Sequence, residues 1–573
     1  MDKISKTNKV KNKIKILRNK LKKHNIDGYV VPRNDEYFSE YPKVNRLKII
    51  SNFSGSAGVA VILKKKNYLF IDGRYTIQSQ IESGKNFHIL NYEKLAHCNI
   101  FKNLTLGVDP KLFTNMQIKK YFTKNNNVKL IDKNLIDEIE TKKISKVFSL
   151  FSLNKKITGE NSSSKLKKIS NYLKKNKSDY ILISAPENVA WTLNIRGGDS
   201  PNSPIPNSRL IVSKNKKIFL ITDIKKCKKI IKEKIIKSSE LVETKSFTKK
   251  IQSLKGSNFI IDKNTCSVFF ENIIRKKFKI LKKNDPTYIF KSIKNKTEIN
   301  NMIEAHIVDG VALTKFLYWI KNINKKTITE TYAQNKLEKF RKLNKKYLYP
   351  SFDTIAGAGK NGAIVHYRAK KGSCRVIKKK DIFLCDSGGQ YKFGTTDVTR
   401  TICFSKPSQI IKENFTNVLK GHIAVVTSNL KKYDIGKKID IRARKYLKKN
   451  NLDYAHGTGH GVGFFLNVHE GPQSISKYNK IKIREGMILS NEPGYYKKNN
   501  YGIRIENLIY VKKKKKDIFF ENLTMAPIEK DLIEFKNLNT IEKNYLFNYH
   551  LNVYSKISKY LNLKERKWLA SFI

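Results

Sequence analysis

The chain has 573 residues, 40% of them hydrophobic and 11% aromatic, which excludes a disordered tail protein and is too long for one domain of ~100–200 residues. Lys and Arg number 116 against 48 Asp and Glu, a net charge of +68 that would ordinarily point to nucleic acid or an anionic membrane. Residues 351–510, however, carry 29 basic and 12 acidic side chains, close to the whole-chain density. The charge is diffuse, whereas a nucleic-acid surface gathers it on one aromatic-laced face, so compositional drift toward Lys, Asn and Ile explains it and no nucleic-acid partner is expected.

The first 24 residues hold ten basic side chains and one acid, Asp2, with Val10, Ile14, Leu17 and Leu21 at the spacing of an amphipathic helix. A helix lying on the first domain is expected; a transit peptide is the sharper alternative, but such segments favour Arg and Ser over Lys. An apolar run at 28–31 follows, and two strands are predicted at 59–63 and 68–71, flanking the basic turn 64–67. A second cycle opens with a helix over 164–175 and strands at 180–183, 210–212 and 218–221, similar in kind to the first and hinting at two related α/β domains. A long helix is predicted over 296–322, with Ile299, Ile303, His306, Val308 and Leu313 facing inward. The run Lys512–Lys516 reads as an exposed hairpin tip. A helical tail after about 528 is expected to pack back through Tyr549, Leu551, Tyr554, Trp568 and Leu569. No run approaches the ~18 apolar residues of a membrane span, so a cytoplasmic protein without a membrane partner is expected. The six cysteines, at 98, 227, 266, 374, 385 and 403, form no Cys-x-x-Cys pair and read as reduced thiols without chemistry.

From Ser351 the texture changes. Glycine becomes frequent, and five of the ten histidines fall here, at 366, 422, 456, 460 and 469. Five short blocks each set an acid or a histidine among small or β-prone residues: Cys385–Gly389, Thr395–Thr401, His456–Gly463, Asn491–Tyr496 and Gly502–Asn507. One acid, one acid, one imidazole and two further acids make an oxygen-rich set that suits two hard or borderline divalent cations, manganese above all, better than a structural zinc. Without a cation such carboxylates would repel, by about 4 kcal/mol per pair at 4 Å and an effective dielectric of 20.

The ordered blocks resemble the pita-bread metallopeptidases, the group of methionine aminopeptidase, prolidase and aminopeptidase P. That resemblance implies a dinuclear site with Asp386, Asp397, His460, Glu492 and Glu506 as metal ligands, Asp397 and Glu506 bridging. The segments 351–357 and 361–367 are similar to the stretch that brings His366 to the substrate in Xaa-Pro aminopeptidases, and His456 and His469 resemble that group's other two active-site histidines. Upstream, Ser39-Glu40-Tyr41, Phe53–Gly58, Asp72–Tyr75 and Asn188–Asp199 resemble the two creatinase-type domains of the long, three-domain aminopeptidase P. Asn52 stands where the group commonly has Gly, and Asn tolerates the left-handed backbone such a turn needs.

The fold class implied is α/β and α+β: creatinase-like domains over 1–158 and 159–293, a pita-bread catalytic domain over 294–528 and a C-terminal helical extension over 529–573. The implied activity is metal-dependent removal of the N-terminal residue from peptides with proline second, by a hydroxide bridging two divalent cations, most simply Mn2+. His366 and His469 are the candidates for carbonyl stabilisation and proton handling, His456 for lining the pocket and Arg504 for supporting the ligand carboxylates. A homodimer assembled through the last domain is also implied. A prolidase restricted to dipeptides is the alternative, but it ordinarily has one upstream domain. A catalytically silent pita-bread binding protein has no need of five intact ligands.

Overall fold

The computed structural model describes residues 2–96, 100–123, 125–140, 147–323 and 328–573, with side chains from residue 8 onward. The chain forms two compact units, one of Met1–Lys155 with Glu160–Thr287, the other of Lys156–Gly159 with Tyr288–Ile573.

In the first unit the leading helix runs Asp2–Lys23. Val10, Ile14, Leu17 and Leu21 are buried, and its polar face pairs outward, Lys20 with Glu138 at 2.5 Å. A six-stranded sheet follows in the order His88–Asn91, Asn67–Ile71, Gly58–Leu63, Gly28–Pro32, Thr105–Val108, Asn127–Leu130. A second sheet has the order Leu241–Glu243, Ile218–Thr222, Arg209–Ser213, Tyr180–Ile183, Asn258–Asp262, Lys279–Lys283. In each sheet the first strand in the chain has an antiparallel partner on one side and a parallel strand on the other, and both edges are parallel. The two halves thus share one topology, a kinship the sequence only hinted at because the apolar pattern survives where residue identities do not. Asn52 ends the helix Arg46–Ser51 at φ 63° and ψ −1°, the left-handed turn expected of it.

The second unit opens with the helix Lys296–Asn322, started by a reciprocal cap between Asn295 and Glu298. Its inward face differs from the apolar expectation. His306 and Leu313 are buried, but Ile299, Ile303 and Val308 are only half-buried, because the centre of the buried stripe is polar. Asp309 there accepts from Arg341 Nε at 2.7 Å and from the Tyr391 hydroxyl at 2.6 Å.

Three sheets, beside the two-stranded ribbon of Gly494–Lys497 with Tyr501–Arg504, carry the rest of this unit among the described residues. One is Tyr347–Pro350, Gly389–Tyr391 and Gly394–Thr395; the second is Ile355–Ala358, Ile382–Ser387 and Val398–Cys403; the third runs Glu470–Ile475, Gly459–Gly461, Ile488–Asn491, Asn507–Lys514, Asp517–Asn522. The helices Gln409–Val426 and Gly436–Lys448 complete the unit's framework. Lys514 pairs with Asp517 across the hairpin, which leaves the lysine run exposed at its tip. The tail forms helices Thr540–Ile557 and Leu563–Ala570. Tyr549 and Leu569 are buried, and Tyr554 and Trp568 pack partly against the same core. Leu551, expected to pack, is 44% exposed. The buried stripe is Leu546, Tyr549, Val553 and Ile557, and two residues from Tyr549 is the opposite side of a helix.

Cys227, Cys266, Cys374, Cys385 and Cys403 are free thiols; Cys98 lies outside the described residues. Among the described residues no helix is long and apolar enough to cross a membrane.

Candidate metal centre

Two sheets of the second unit deliver acids to one place. Ile382–Ser387 runs antiparallel to Val398–Cys403 with Asp386 opposite Thr399 and Ser387 opposite Val398. Because strand residues alternate faces, Phe383 and Cys385 enter the apolar core while Asp386 turns to the other side, and Asp397 stands one residue before the partner strand. In the third sheet Asn491 lies opposite Asn507, so Glu492, one step past one strand, and Glu506, one step before the other, emerge at the same sheet end. His460 is carried by Gly459–Gly461 beside them. A Cβ on Gly459 would come within 1.9 Å of the Ser490 carbonyl oxygen, so only glycine lets the two backbones approach this closely.

Asp397, His460 and Glu506 each offer a ligand atom within 4.8 Å of the others. His460 Nε2 lies 3.5 Å from Asp397 Oδ2 and 3.5 Å from Glu492 Oε1. Its other nitrogen, Nδ1, donates to the Gly461 carbonyl at 2.9 Å, which fixes the ring and directs Nε2 at the acids. Burial opposes charge on this imidazole, but Asp397 and Glu492 outweigh it and push its pKa up to about 9. Burial raises Asp386 to about 7, with Arg504 pulling the other way and Asp397 and Glu492 adding repulsion. Glu492 and Glu506 are also raised, by burial and then by their acidic neighbours. Asp386 Oδ1 is buried and meets no donor among the described residues. Buried acids that repel one another and keep an unpartnered oxygen fit divalent cations, and the oxygen-rich donor set fits hard ones.

Arg504, 1% exposed, ties the acids together. Its Nη2 donates to Asp386 Oδ2 at 2.6 Å. Its Nε donates to Thr399 Oγ1 at 3.1 Å, and that hydroxyl donates to Glu506 Oε2 at 2.8 Å. Its Nη1 donates to the Tyr496 hydroxyl at 2.7 Å, which faces His456 Nε2 at 2.8 Å. The His456 ring is oriented from its far side, Nδ1 to the Gly457 carbonyl at 2.8 Å. Burial pushes the Tyr496 phenol up to about 12, so it keeps the proton it offers to His456.

The exposed His469 sets its ring 4.2 Å from that of His460, centroid to centroid. His366 is half-buried and follows Val365, whose carbonyl lies 3.5 Å from Arg504 Nη1. The structure therefore groups Asp386, Asp397, His460, Glu492, Glu506 and Arg504 directly. His456 joins through Tyr496, His469 through the ring contact and His366 through its chain neighbour. Sequence reasoning gave no role to Thr399 or Tyr496. A signal existed for Thr399, which stands two residues after Asp397, a spacing that shares a strand face. None existed for Tyr496, which depends on the ribbon pairing of Gly494–Lys497 with Tyr501–Arg504.

Comparison with known proteins gives the family of the chain. Residues 300–513 match metallopeptidase family M24, residues 13–139 and 141–298 each match a creatinase/prolidase N-terminal domain, and residues 518–571 match the C-terminal region of peptidase M24. The chain belongs to metallopeptidase family M24, with the doubled creatinase-type N-terminal region and the pita-bread catalytic domain that these matches define. More particularly, it is 36% identical to Xaa-Pro aminopeptidase 1 of Dictyostelium discoideum over 98% of this chain and 96% of that one. It is 34% identical to a probable Xaa-Pro aminopeptidase P of Laccaria bicolor over 96% and 91%. The crystal structure of X-prolyl aminopeptidase from Caenorhabditis elegans, described as a cytosolic enzyme with a di-nuclear active site, superposes with a TM-score of 0.91 at 29% identity, covering 98% of this chain and 99% of that one. A prolidase from Pyrococcus horikoshii, 27% identical with a TM-score of 0.51, covers only 64% of this chain and 99% of its own.

Proposed function

We propose that this enzyme is a Xaa-Pro aminopeptidase that removes the first residue from peptides with proline second, using two divalent cations. The observation that carries the reading is the convergence of four carboxylates and one imidazole on one point, in a chain alike over nearly its whole length to Xaa-Pro aminopeptidases. Asp386, Asp397, His460, Glu492 and Glu506 would hold the cations, with Asp397 and Glu506 shared between them, and the oxygen-rich set favours Mn2+. When bound, such a pair polarises a carbonyl and lowers the pKa of a water toward ~7.

The remaining steps belong to the chain's own side chains. His469, exposed beside His460, and His366 would meet the scissile carbonyl and carry a proton to the departing amine. His456 lines the pocket, held by Tyr496 and the Gly457 carbonyl. Arg504 keeps Asp386 and, through Thr399, Glu506 in their places. A Xaa-Pro bond has no N–H and a fixed ring, so a pocket shaped for that ring selects it. The doubled N-terminal region argues against a prolidase, since the prolidase compared above leaves about a third of this chain unmatched.

The reading extends to a domain division at 158/159, 293/294 and 528/529, to a cytoplasmic location like that of the cytosolic relative, and to a homodimer built on the last domain. Sedimentation at micromolar concentration tests the dimer, and a monomer alone would end that part of the proposal. The roles are tested by two variants in one assay. His460→Ala should lose bound metal together with turnover, as removal of a ligand does. His469→Ala should keep both metals and lose roughly 10²–10⁴-fold in turnover, the usual worth of a positioned acid or base. Metal loss in His469→Ala, or full metal occupancy in His460→Ala, would reverse the two assignments.

A further inference from the structure

Arg400 is fully buried, 1% exposed, and lies directly behind the strand end that presents Glu506. Its guanidinium reaches six acceptors, all within the second unit. Nη1 donates to the carbonyls of Glu506 at 2.7 Å and Thr399 at 2.9 Å. Nε donates to the Pro527 carbonyl at 2.8 Å. Nη2 faces the Ala526 carbonyl at 2.8 Å, Asn507 Oδ1 at 2.9 Å and the Tyr549 hydroxyl at 3.0 Å. None of these acceptors is a carboxylate. A buried cation without an ionic partner costs several kcal/mol unless its donors are satisfied, and here every N–H has a neutral oxygen to meet, so the site is fully built.

The position of these acceptors divides the shell in two. Thr399, Glu506 and Asn507 belong to the strand ends that carry candidate ligands. Ala526, Pro527 and Tyr549 belong to the segment leaving the last sheet strand and to the helix Thr540–Ile557 of the C-terminal extension. Tyr549 is itself anchored, its hydroxyl 2.8 Å from the Ala526 carbonyl and 3.2 Å from that of Thr524. The guanidinium is planar and cannot turn toward one half of its shell without leaving the other. We infer that Arg400 and Tyr549 are positioning residues through which the C-terminal extension fixes the main chain at Glu506, and with it the aim of a carboxylate that would hold the cations. The extension is then part of the active-site framework and not only a packing element.

This inference rests on the proposed metal role of Glu506, and the test keeps the two apart. Mn2+ is titrated calorimetrically into the metal-depleted full-length protein, and kcat and KM are measured on the reloaded protein with a Xaa-Pro-Xaa tripeptide. Tyr549→Phe removes one acceptor of Arg400 and the hydroxyl's own bonds to the Ala526 and Thr524 carbonyls, and takes nothing from the apolar packing of the tail. It should weaken Mn2+ binding by about tenfold, within the 10–100-fold usual for groups that orient metal ligands, and lower kcat with KM unchanged. Leu569→Ala loosens the tail without touching Arg400; it should lower the unfolding temperature and leave Mn2+ affinity within twofold of the parent. Arg400→Lys, which keeps the charge but loses the planar fork, should resemble Tyr549→Phe or exceed it. Glu506→Gln serves as the control on the underlying reading and should lose at least one Mn2+. Wild-type Mn2+ affinity and kcat in Tyr549→Phe, alongside loss of metal in Glu506→Gln, would overturn the inference. Equal loss of affinity in Leu569→Ala and Tyr549→Phe would also overturn it, by reducing the tail to general stability. Retention of both metals in Glu506→Gln would instead remove the metal assignment on which it stands.

Discussion

Replacing Arg504 by Met removes a buried guanidinium while keeping an unbranched apolar stem of similar reach. Three close hydrogen bonds go with it, the ionic one to Asp386 at 2.6 Å and those to the Tyr496 hydroxyl at 2.7 Å and Thr399 Oγ1 at 3.1 Å, together with the long contacts of Nη1 and Nη2 to the Val365 carbonyl at 3.5 Å. A hydrogen bond to a charged group is worth about 1.5–3 kcal/mol and a neutral one about 1 kcal/mol, so the set is worth roughly 3–5 kcal/mol, the usual cost of breaking a buried pair. Taken entirely as loss of metal affinity, at 1.4 kcal/mol per decade, this would be ~10²–10⁴-fold. Bound cations would themselves compensate the Asp386 charge, so the expected loss lies at the lower end, about 10–100-fold. The assay is Mn2+ titration of metal-depleted Arg504→Met beside its kcat on a Xaa-Pro-Xaa tripeptide. Arg504→Lys, able to keep the contact to Asp386 but not the fork to Thr399 and Tyr496, should fall between Met and the parent. A change of less than threefold in both affinity and kcat for Arg504→Met would mean that this side chain does not hold the ligands in place.

Two predictions concern stability. Asp309→Ala strands Arg341 in the core of the second unit, where it is 1% exposed, and should cost about 3–5 kcal/mol in denaturant unfolding; a loss below 1 kcal/mol would mean the pair is not held as drawn. Burial raises Asp285 from 3.8 to about 6, with the Thr287 amide and Asn188 opposing. The folded state therefore binds this proton more tightly than the unfolded chain does, so the contribution is fully favourable below about pH 4 and falls by ~3 kcal/mol, at 1.36 kcal/mol per unit, as pH rises to about 6. Asp285→Asn should abolish that fall and stabilise the first unit at pH 8 but not at pH 4, and parallel pH–stability curves for variant and parent would contradict it.

Particular residues show where the sequence was legible. The first helix announced itself because four apolar residues at helical spacing face one way among ten basic ones, and burial of that stripe is what folds it. The five blocks were readable because a metal site needs ligand atoms rather than a packing shape, and ligand atoms are properties of residue type. The inward face of Lys296–Asn322 was misread at Ile299, Ile303 and Val308 because a periodicity argument assumes an apolar core. Asp309 enters that core by pairing with Arg341, 32 positions away, and no local pattern carries a partner at that distance. Tyr496 and the acceptor shell of Arg400 escaped notice for the same reason. Both are made by strand pairing and by a returning tail, so they exist only once the chain has folded. Leu551 shows the converse, an apolar residue left outside because its helix had already turned its buried stripe the other way.

A dimetal centre built from the four carboxylates and His460 should cleave the bond before a penultimate proline. The most direct test follows hydrolysis of a Xaa-Pro-Xaa tripeptide and a Xaa-Pro dipeptide by the purified protein, with metal content measured on the same samples before chelation, after it and after Mn2+ is restored. Two metals per chain are expected, with release of the first amino acid from the tripeptide in preference to the dipeptide, loss of that activity with the metal and its return on reloading. Tripeptide cleavage that persists after the metal has been removed, or protein carrying two metals that leaves the tripeptide intact, would contradict it.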